Sequence, residues 1–317
     1  MKNILHVTNC YPTDKQPDYG IFVKEQIDSL HPYCVNKVHF INAREKGRLE
    51  YFKYPSVDSI KKADIVHCHH LFSLLVSIPW LVLFRKKVIL SFLNEFENEV
   101  KFNAYPWVRL LLCKIGVAFS NRYIFKSNPI GKDPKEVYLP NGVNTDLFYN
   151  ISENDVRESS EYRIFFVSSK NILRSQKRYD LFLQVCNRLE DKYSIKVERF
   201  VASGLSRREY LENLKLSDVH LLCSDYEGSP NSVKEAMALN VPVVSRNVGN
   251  VSHMFSSLKS GYYRVVDSSN VDDICDVVYS VLTLDKKLNR DGRQLISNGN
   301  LSIDEVALKL SSIYDSL

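Results

Sequence analysis

Short apolar runs alternate along the chain with amphipathic segments whose apolar positions recur every three or four residues. Runs at 3–9, 36–41, 63–67, 87–92, 122–126 and 136–139 read as strands, and 21–30, 71–84 and 105–119 as the helices among them. Beyond residue 162 the alternation resumes. Strands at 163–168, 196–201, 219–223 and 241–244 enclose helices at 179–189, 207–216 and 230–237, with further helices at 271–282 and 303–313. Strands that alternate with helices predict parallel sheets. Two such series in 317 residues predict an α/β protein of two ordinary-sized domains, each with its own core.

The stretch richest in chemistry follows the strand at 219–223: Ser224-Asp225-Tyr226-Glu227-Gly228-Ser229-Pro230-Asn231-Ser232. Ser229 stands where a helix N-cap belongs, with Pro230 at the first helical position. Glu227 and Gly228 then occupy the turn at a strand's carboxyl end, where open parallel sheets bind ligands. The free amides from Pro230-Asn231 onward, together with the helix dipole, favour a phosphate, and Gly228 lets it approach the backbone. Glu235 lies about 7 Å further along the axis, the reach from a phosphate to a ribose diol, for which a carboxylate is a good acceptor. Glu227 faces the other side of the phosphates. This arrangement suits a nucleoside diphosphate sugar; the plainer alternative is a capped helix with two solvated carboxylates.

The pair Glu227 and Glu235, an E-x7-E within EGSPNSVKEAMALNVPVVSRNVGNV, closely resembles the donor-binding signature of glycosyltransferase family 4. Those are retaining enzymes of the GT-B fold, which implies two Rossmann-like parallel-sheet domains facing across a cleft. The resemblance gives Glu227 to the transferred sugar and Glu235 to the ribose. PNGVNTDLF at 140–148 resembles the family's PNGVD-x-x-x-F interdomain segment. It implies an acceptor-side domain of 1–148, completed by the helix at 303–317, and a donor-binding domain of 149–302. RSQKRYDL resembles the loop whose Arg and Lys neutralise the leaving diphosphate, which points to Arg174 and Lys177. Gly20, in a strand–loop–helix turn without G-x-G-x-x-G, would lie across the cleft from the phosphates or be a plain turn glycine. One departure stands out. Leu93-Asn94 replaces the family's His-Gly, followed by Glu95, Glu97 and Glu99, which either serve an acceptor hydroxyl or form a solvated acidic turn.

Charge narrows the partners. Residues 1–148 hold 20 Lys and Arg against 14 Asp and Glu, while the remainder holds 22 against 23. A basic amino-terminal half without any nucleic-acid module suits an acidic substrate, an anionic membrane surface, or simply a soluble exterior. The apolar segment 71–84, with Trp80 and a basic Arg85-Lys86-Lys87 flank, reads as a core helix or a membrane-docking one; 105–119 is a second such segment. No apolar run reaches the length of a membrane span, and no signal-peptide pattern opens the sequence. Seven scattered cysteines suggest buried thiols in a reducing cytosol. His67, His69 and His70 lack neighbouring ligands at metal-type spacing, so ADIVHCHH reads as a structural or cleft-facing strand end.

The expectation is therefore a cytoplasmic, peripherally membrane-associated, retaining transferase for surface polysaccharide synthesis. Its co-substrate is a nucleotide sugar, with no metal or other cofactor, and its acceptor a lipid-linked saccharide. The competing readings are a catalytically silent GT-B protein that binds nucleotide or scaffolds a transferase, and a nucleotide-sugar epimerase.

Overall fold

The computed structural model describes residues 1–93, 105–127, 133–149, 159–168, 175–285 and 291–317. The first domain comprises β1 (Lys2–Thr8), α1 (Ile21–Asp28), β2 (Cys34–Phe40), β3 (Ile65–Cys68), α2 (Leu71–Leu83), β4 (Lys87–Ser91), α3 (Pro106–Phe119), β5 (Arg122–Phe125) and β6 (Glu136–Tyr138). The second comprises β7 (Tyr162–Val167), α4 (Tyr179–Tyr193), β8 (Val197–Ala202), α5 (Arg207–Lys215), β9 (Val219–Leu222), α6 (Asn231–Ala238), β10 (Val243–Arg246), β11 (Tyr263–Val266), α7 (Val271–Leu282) and α8 (Gly292–Asn298). The chain then rejoins the first domain as α9 (Ile303–Asp315).

Both sheets are parallel throughout, ordered β2-β1-β3-β4-β5-β6 and β11-β10-β9-β7-β8. In each, the strand order reverses at one point, between β1 and β3 in the first sheet and between β7 and β9 in the second. Loops leaving the carboxyl ends of strands beside such a reversal are where doubly wound folds hold ligands.

Alternate residues of each strand serve opposite faces of the first sheet. Leu5, Val7, Val66, Cys68, Val88 and Leu90 pack towards α2 and α3. Ile4, Ile65, Ile89 and Ile124 pack on the other face with Val306, Ala307, Leu310 and Tyr314 of α9. One face of α2 is core (Leu71, Leu74, Leu81), and the other leaves Phe72, Val82 and Leu83 exposed. The helix is thus a core helix that keeps an exposed apolar face. It meets α3 at Gly116, where a Cβ would stand 2.7 Å from Leu71 Cδ1.

The compact units are Met1–Thr13, Tyr19–Gly142 and Ile303–Leu317 on one side, and Asp14–Asp18 with Val143–Ser302 on the other. The division thus falls ahead of the expected boundary after residue 148, because Val143 and Phe148 are buried in the second core. β11 and α8 were not foreseen. β11 has four residues and an exposed Arg264 in its middle, too brief a pattern to register. All seven cysteines are buried, and none forms a disulfide.

Candidate donor-binding site

The loops after β7 and β9, on either side of the second sheet's reversal, are clipped together at Gln176. Asp225 N donates to Gln176 O at 2.9 Å, and Gln176 Nε2 donates to Tyr226 O at 2.9 Å. Asp225 is in turn gripped by Arg246 at 2.5 Å and Arg178 at 3.3 Å. These contacts hold Lys177, the last residue of a short 3₁₀ turn, against Glu227: Lys177 Nζ donates to Glu227 Oε1 at 2.5 Å. Ser224 Oγ donates to the same carboxylate oxygen at 2.7 Å. Arg174, expected beside Lys177, lies outside the described residues, as do Lys170, Asn94 and the Glu95, Glu97 and Glu99 cluster.

Helix α6 begins one residue later than expected. Pro230 is its N-cap, Asn231 its first residue, and no side chain caps it. Ser229 does not serve as the cap because its Oγ accepts from the buried Lys234 Nζ at 2.8 Å. With no cap, the first amides of α6 (Asn231, Ser232 and Val233) keep free donors and the positive end of the helix dipole. Asn231 Oδ1 is buried without a hydrogen-bond partner among the described residues.

The hydroxyl of Ser232, expected at the ligand, is turned to His220, whose Nε2 lies 3.0 Å away. His220 Nδ1 faces the carbonyl of Phe165 at 3.1 Å, so Nδ1 carries the proton and Nε2 accepts from Ser232. Burial brings the His220 pKa down to about 4, so the ring is neutral. Ser232 can therefore offer an anion only its amide.

Glu235 is 5% exposed, and its Oε1 lies 2.7 Å from Arg207 Nη2 at the start of α5. A carboxylate so buried and so paired is not the solvated group of an ordinary surface helix. Arg207 escaped the sequence reading altogether. It comes from a neighbouring helix, and no spacing along the chain signals the pairing.

Gly228 is packed from behind by the loop after β10: its carbonyl accepts from Asn250 N at 3.1 Å. Gly249 approaches so closely that a Cβ there would fall 2.2 Å from the Gly228 oxygen, and its φ of +55° also favours glycine. Gly20 belongs to the first domain and caps α1 at φ +75°, where a Cβ would meet Cys10 C at 2.4 Å. Steric need accounts for that glycine.

An uncapped helix start at the sheet reversal is thus flanked by two carboxylates, each held by its own cation. Such a site supplies amide donors for an anion and two fixed acceptors for hydroxyls on either side of it.

Residues 184–295 match the family model for glycosyl transferases group 1, a stretch that holds both Glu227 and Glu235. No curated protein matches the chain in sequence. Solved structures of like architecture include sucrose-phosphate synthase from Thermosynechococcus elongatus, with a TM-score of 0.70 and 13% identity over 100% of this chain and 99% of that one. HepE from Anabaena, in complex with UDP and glucose, gives 0.74 and 12% over 100% of both chains. The catalytic domain of starch synthase IV from Arabidopsis thaliana, bound to ADP and acarbose, gives 0.64 and 11% over 99% of both. At these identities the likeness shows the fold, that of the GT-B glycosyltransferases.

Proposed function

We propose that the protein is a retaining glycosyltransferase of family 4, moving a sugar from a nucleoside diphosphate sugar to an acceptor hydroxyl. The observation that carries this reading is the uncapped start of α6, set between two cation-held carboxylates, the half-buried Glu227 and the buried Glu235. The diphosphate lies on the amides of residues 231–233, with Lys177, and Arg174 of the same loop, as its counter-charges. Glu235 accepts from the ribose diol and Glu227 from the sugar. The bond from the anomeric carbon to the phosphate oxygen breaks, and the acceptor oxygen bonds to that carbon on the same face. The acceptor's proton passes to the leaving phosphate oxygen. Charge growing on the leaving diphosphate is met by donors already in place. No metal enters this scheme, and the nucleotide sugar is the only co-substrate. HepE in complex with UDP and glucose supports the choice of donor class.

A panel of nucleoside diphosphate sugars tests the assignment. One of them should raise the melting temperature by linkage, and Glu235→Gln should weaken its apparent affinity tenfold or more. If no member of the panel shifts the transition, or the variant binds as tightly as the native protein, the site is not a donor site. A second reading, binding without turnover, draws on Leu93, which follows β4 where the family carries His. Transfer to any acceptor in a cell-extract screen excludes it.

The acceptor class we favour is a lipid-linked saccharide met at the inner membrane face, in the synthesis of a surface polysaccharide. No helix among the described residues is long and apolar enough to cross a membrane. Val82 and Leu83 at the end of α2, and Trp107, Leu111 and Phe119 on α3, are exposed, with Arg85 and Lys114 exposed on the same helices or just beyond them. Apolar side chains beside cations suit an anionic bilayer surface. The protein should float with vesicles containing anionic lipid, and Trp107→Ser with Lys114→Glu should release it. Recovery wholly in the unbound fraction at low salt contradicts membrane docking.

A further inference from the structure

The first domain holds another group of ionisable side chains, which the donor site does not use. His6 in β1 and His67 in β3 are in register at the reversal of the first sheet. His69 directly follows β3 and Lys126 directly follows β5, and all four side chains are buried. They therefore gather towards the edge where parallel sheets receive ligands.

Hydrogen bonds fix the tautomers. Asn36 Oδ1 can only accept, so His6 Nε2 carries a proton and donates to it at 2.9 Å. His6 Nδ1 is then the acceptor for His69 Nε2–H, also at 2.9 Å. That leaves His69 Nδ1 unprotonated, with no hydrogen bond to its lone pair among the described residues. His67 is engaged on both sides, by the Tyr314 hydroxyl at 2.7 Å and Ser91 Oγ at 2.8 Å.

Lys126 Nζ is buried and has no hydrogen-bond partner among the described residues. Burial draws its pKa down to about 7, with no carboxylate among the described residues acting against the shift. Its charge reaches both His67 and His69, and burial, with the neighbouring cationic groups, holds these two rings well below the usual histidine range. His6, His67 and His69 bring ring nitrogens within 4.8 Å of one another, which invites a metal. A divalent cation there would have to break the His6–His69 bond and sit beside Lys126, so like charge opposes it. What the cluster lacks among the described residues is a negative group.

We propose that Lys126 and His69 form a binding site for an oxyanion that also carries an O–H: a hydrogen phosphate, or the carboxylate of a sugar acid with a neighbouring hydroxyl. The ammonium meets the anionic oxygen, and the O–H donates to His69 Nδ1. His6 and Asn36 are positioning residues that hold the His69 tautomer. This inference rests on the transferase reading for its meaning, which is that the acceptor bears an acidic group. Binding itself needs no donor.

Calorimetric titration with inorganic phosphate tests it, in Lys177→Ala protein so that the donor site contributes little. Adding Lys126→Met should weaken the remaining phosphate binding at least tenfold, and His69→Leu should act in the same direction. Thermal unfolding checks that each variant is folded. Glucuronate in place of phosphate separates the two sources of acid. Saturable binding of either one that depends on Lys126, with none for glucose, supports the site. Equal phosphate binding with and without Lys126, no binding of either anion, or zinc binding that vanishes in His69→Leu overturns it. Failure of the transferase reading would show separately, as nucleotide sugars that leave the native protein's melting temperature unmoved.

Discussion

Replacing Lys177 by alanine is expected to lower kcat/KM for sugar transfer by roughly a hundredfold or more, a few kcal/mol of barrier. Lys177 is held against Glu227 in the loop beside the uncapped end of α6, and in the proposed scheme it meets the developing charge of the leaving diphosphate. Its removal should leave the fold intact. It sits in a three-residue turn outside the core, and the Gln176 contacts that fix the loop are made by its neighbour's backbone and amide. Glu227 keeps its hydrogen bond from Ser224. Steady-state kinetics of the native and Lys177→Ala proteins, each checked by its melting curve, decide the matter. Transfer within about threefold of native, with an unchanged melting temperature, would make the Lys177–Glu227 pair a structural brace and remove the cation from the mechanism.

The second large effect is on stability. Lys126→Met should stabilise the protein most below pH 7, by an amount on the order of 5 kcal/mol given about 1.4 kcal/mol per pKa unit. Lys126 has a folded pKa of about 7, below the 10.5 of an unburied lysine, so the unfolded chain binds the extra proton between these limits. Below pH 7 both states carry the charge and its burial cost is fully present. As pH rises through 7 towards 10.5 the folded amine is already neutral, and the advantage of methionine fades. Urea unfolding at pH 6 and pH 9.5 reads the difference directly. A Lys126→Met protein no more stable than native at pH 6 would mean that the ammonium has a counter-charge after all. Gain in stability with loss of phosphate binding is the combination expected of a group retained for a ligand.

Much of this was legible in the residues. Strands buried on both faces write themselves as uninterrupted apolar runs, and so β3, β4, β7 and β9 were recoverable to within about two residues. The turn from Glu227 to the start of α6 could be read because its parts are consecutive. The N-cap was misplaced by one residue for a reason spacing cannot express: Lys234 reaches back to occupy Ser229. Arg207 and Glu235 were invisible as a pair, since two helices must pack before they meet. The histidines at 67, 69 and 70 were noticed, but His6 joins them through strand register, and Tyr314 through a helix at the other end of the sequence. Lys126 carries no local signal at all. A buried lysine with no hydrogen-bond partner among the described residues looks, in one dimension, like any other.

The placement of α9 has a bearing on how the molecule is made. Ile4, Ile65, Ile89 and Ile124 form an apolar sheet face that is closed by Val306, Ala307, Leu310 and Tyr314. On the ribosome those four arrive only after every residue of the second domain has been translated. Domains that emerge first ordinarily fold first. Here the earlier one must wait with an open, sticky flank while the later one is finished, which makes nascent chains stalled before residue 303 natural clients for chaperones.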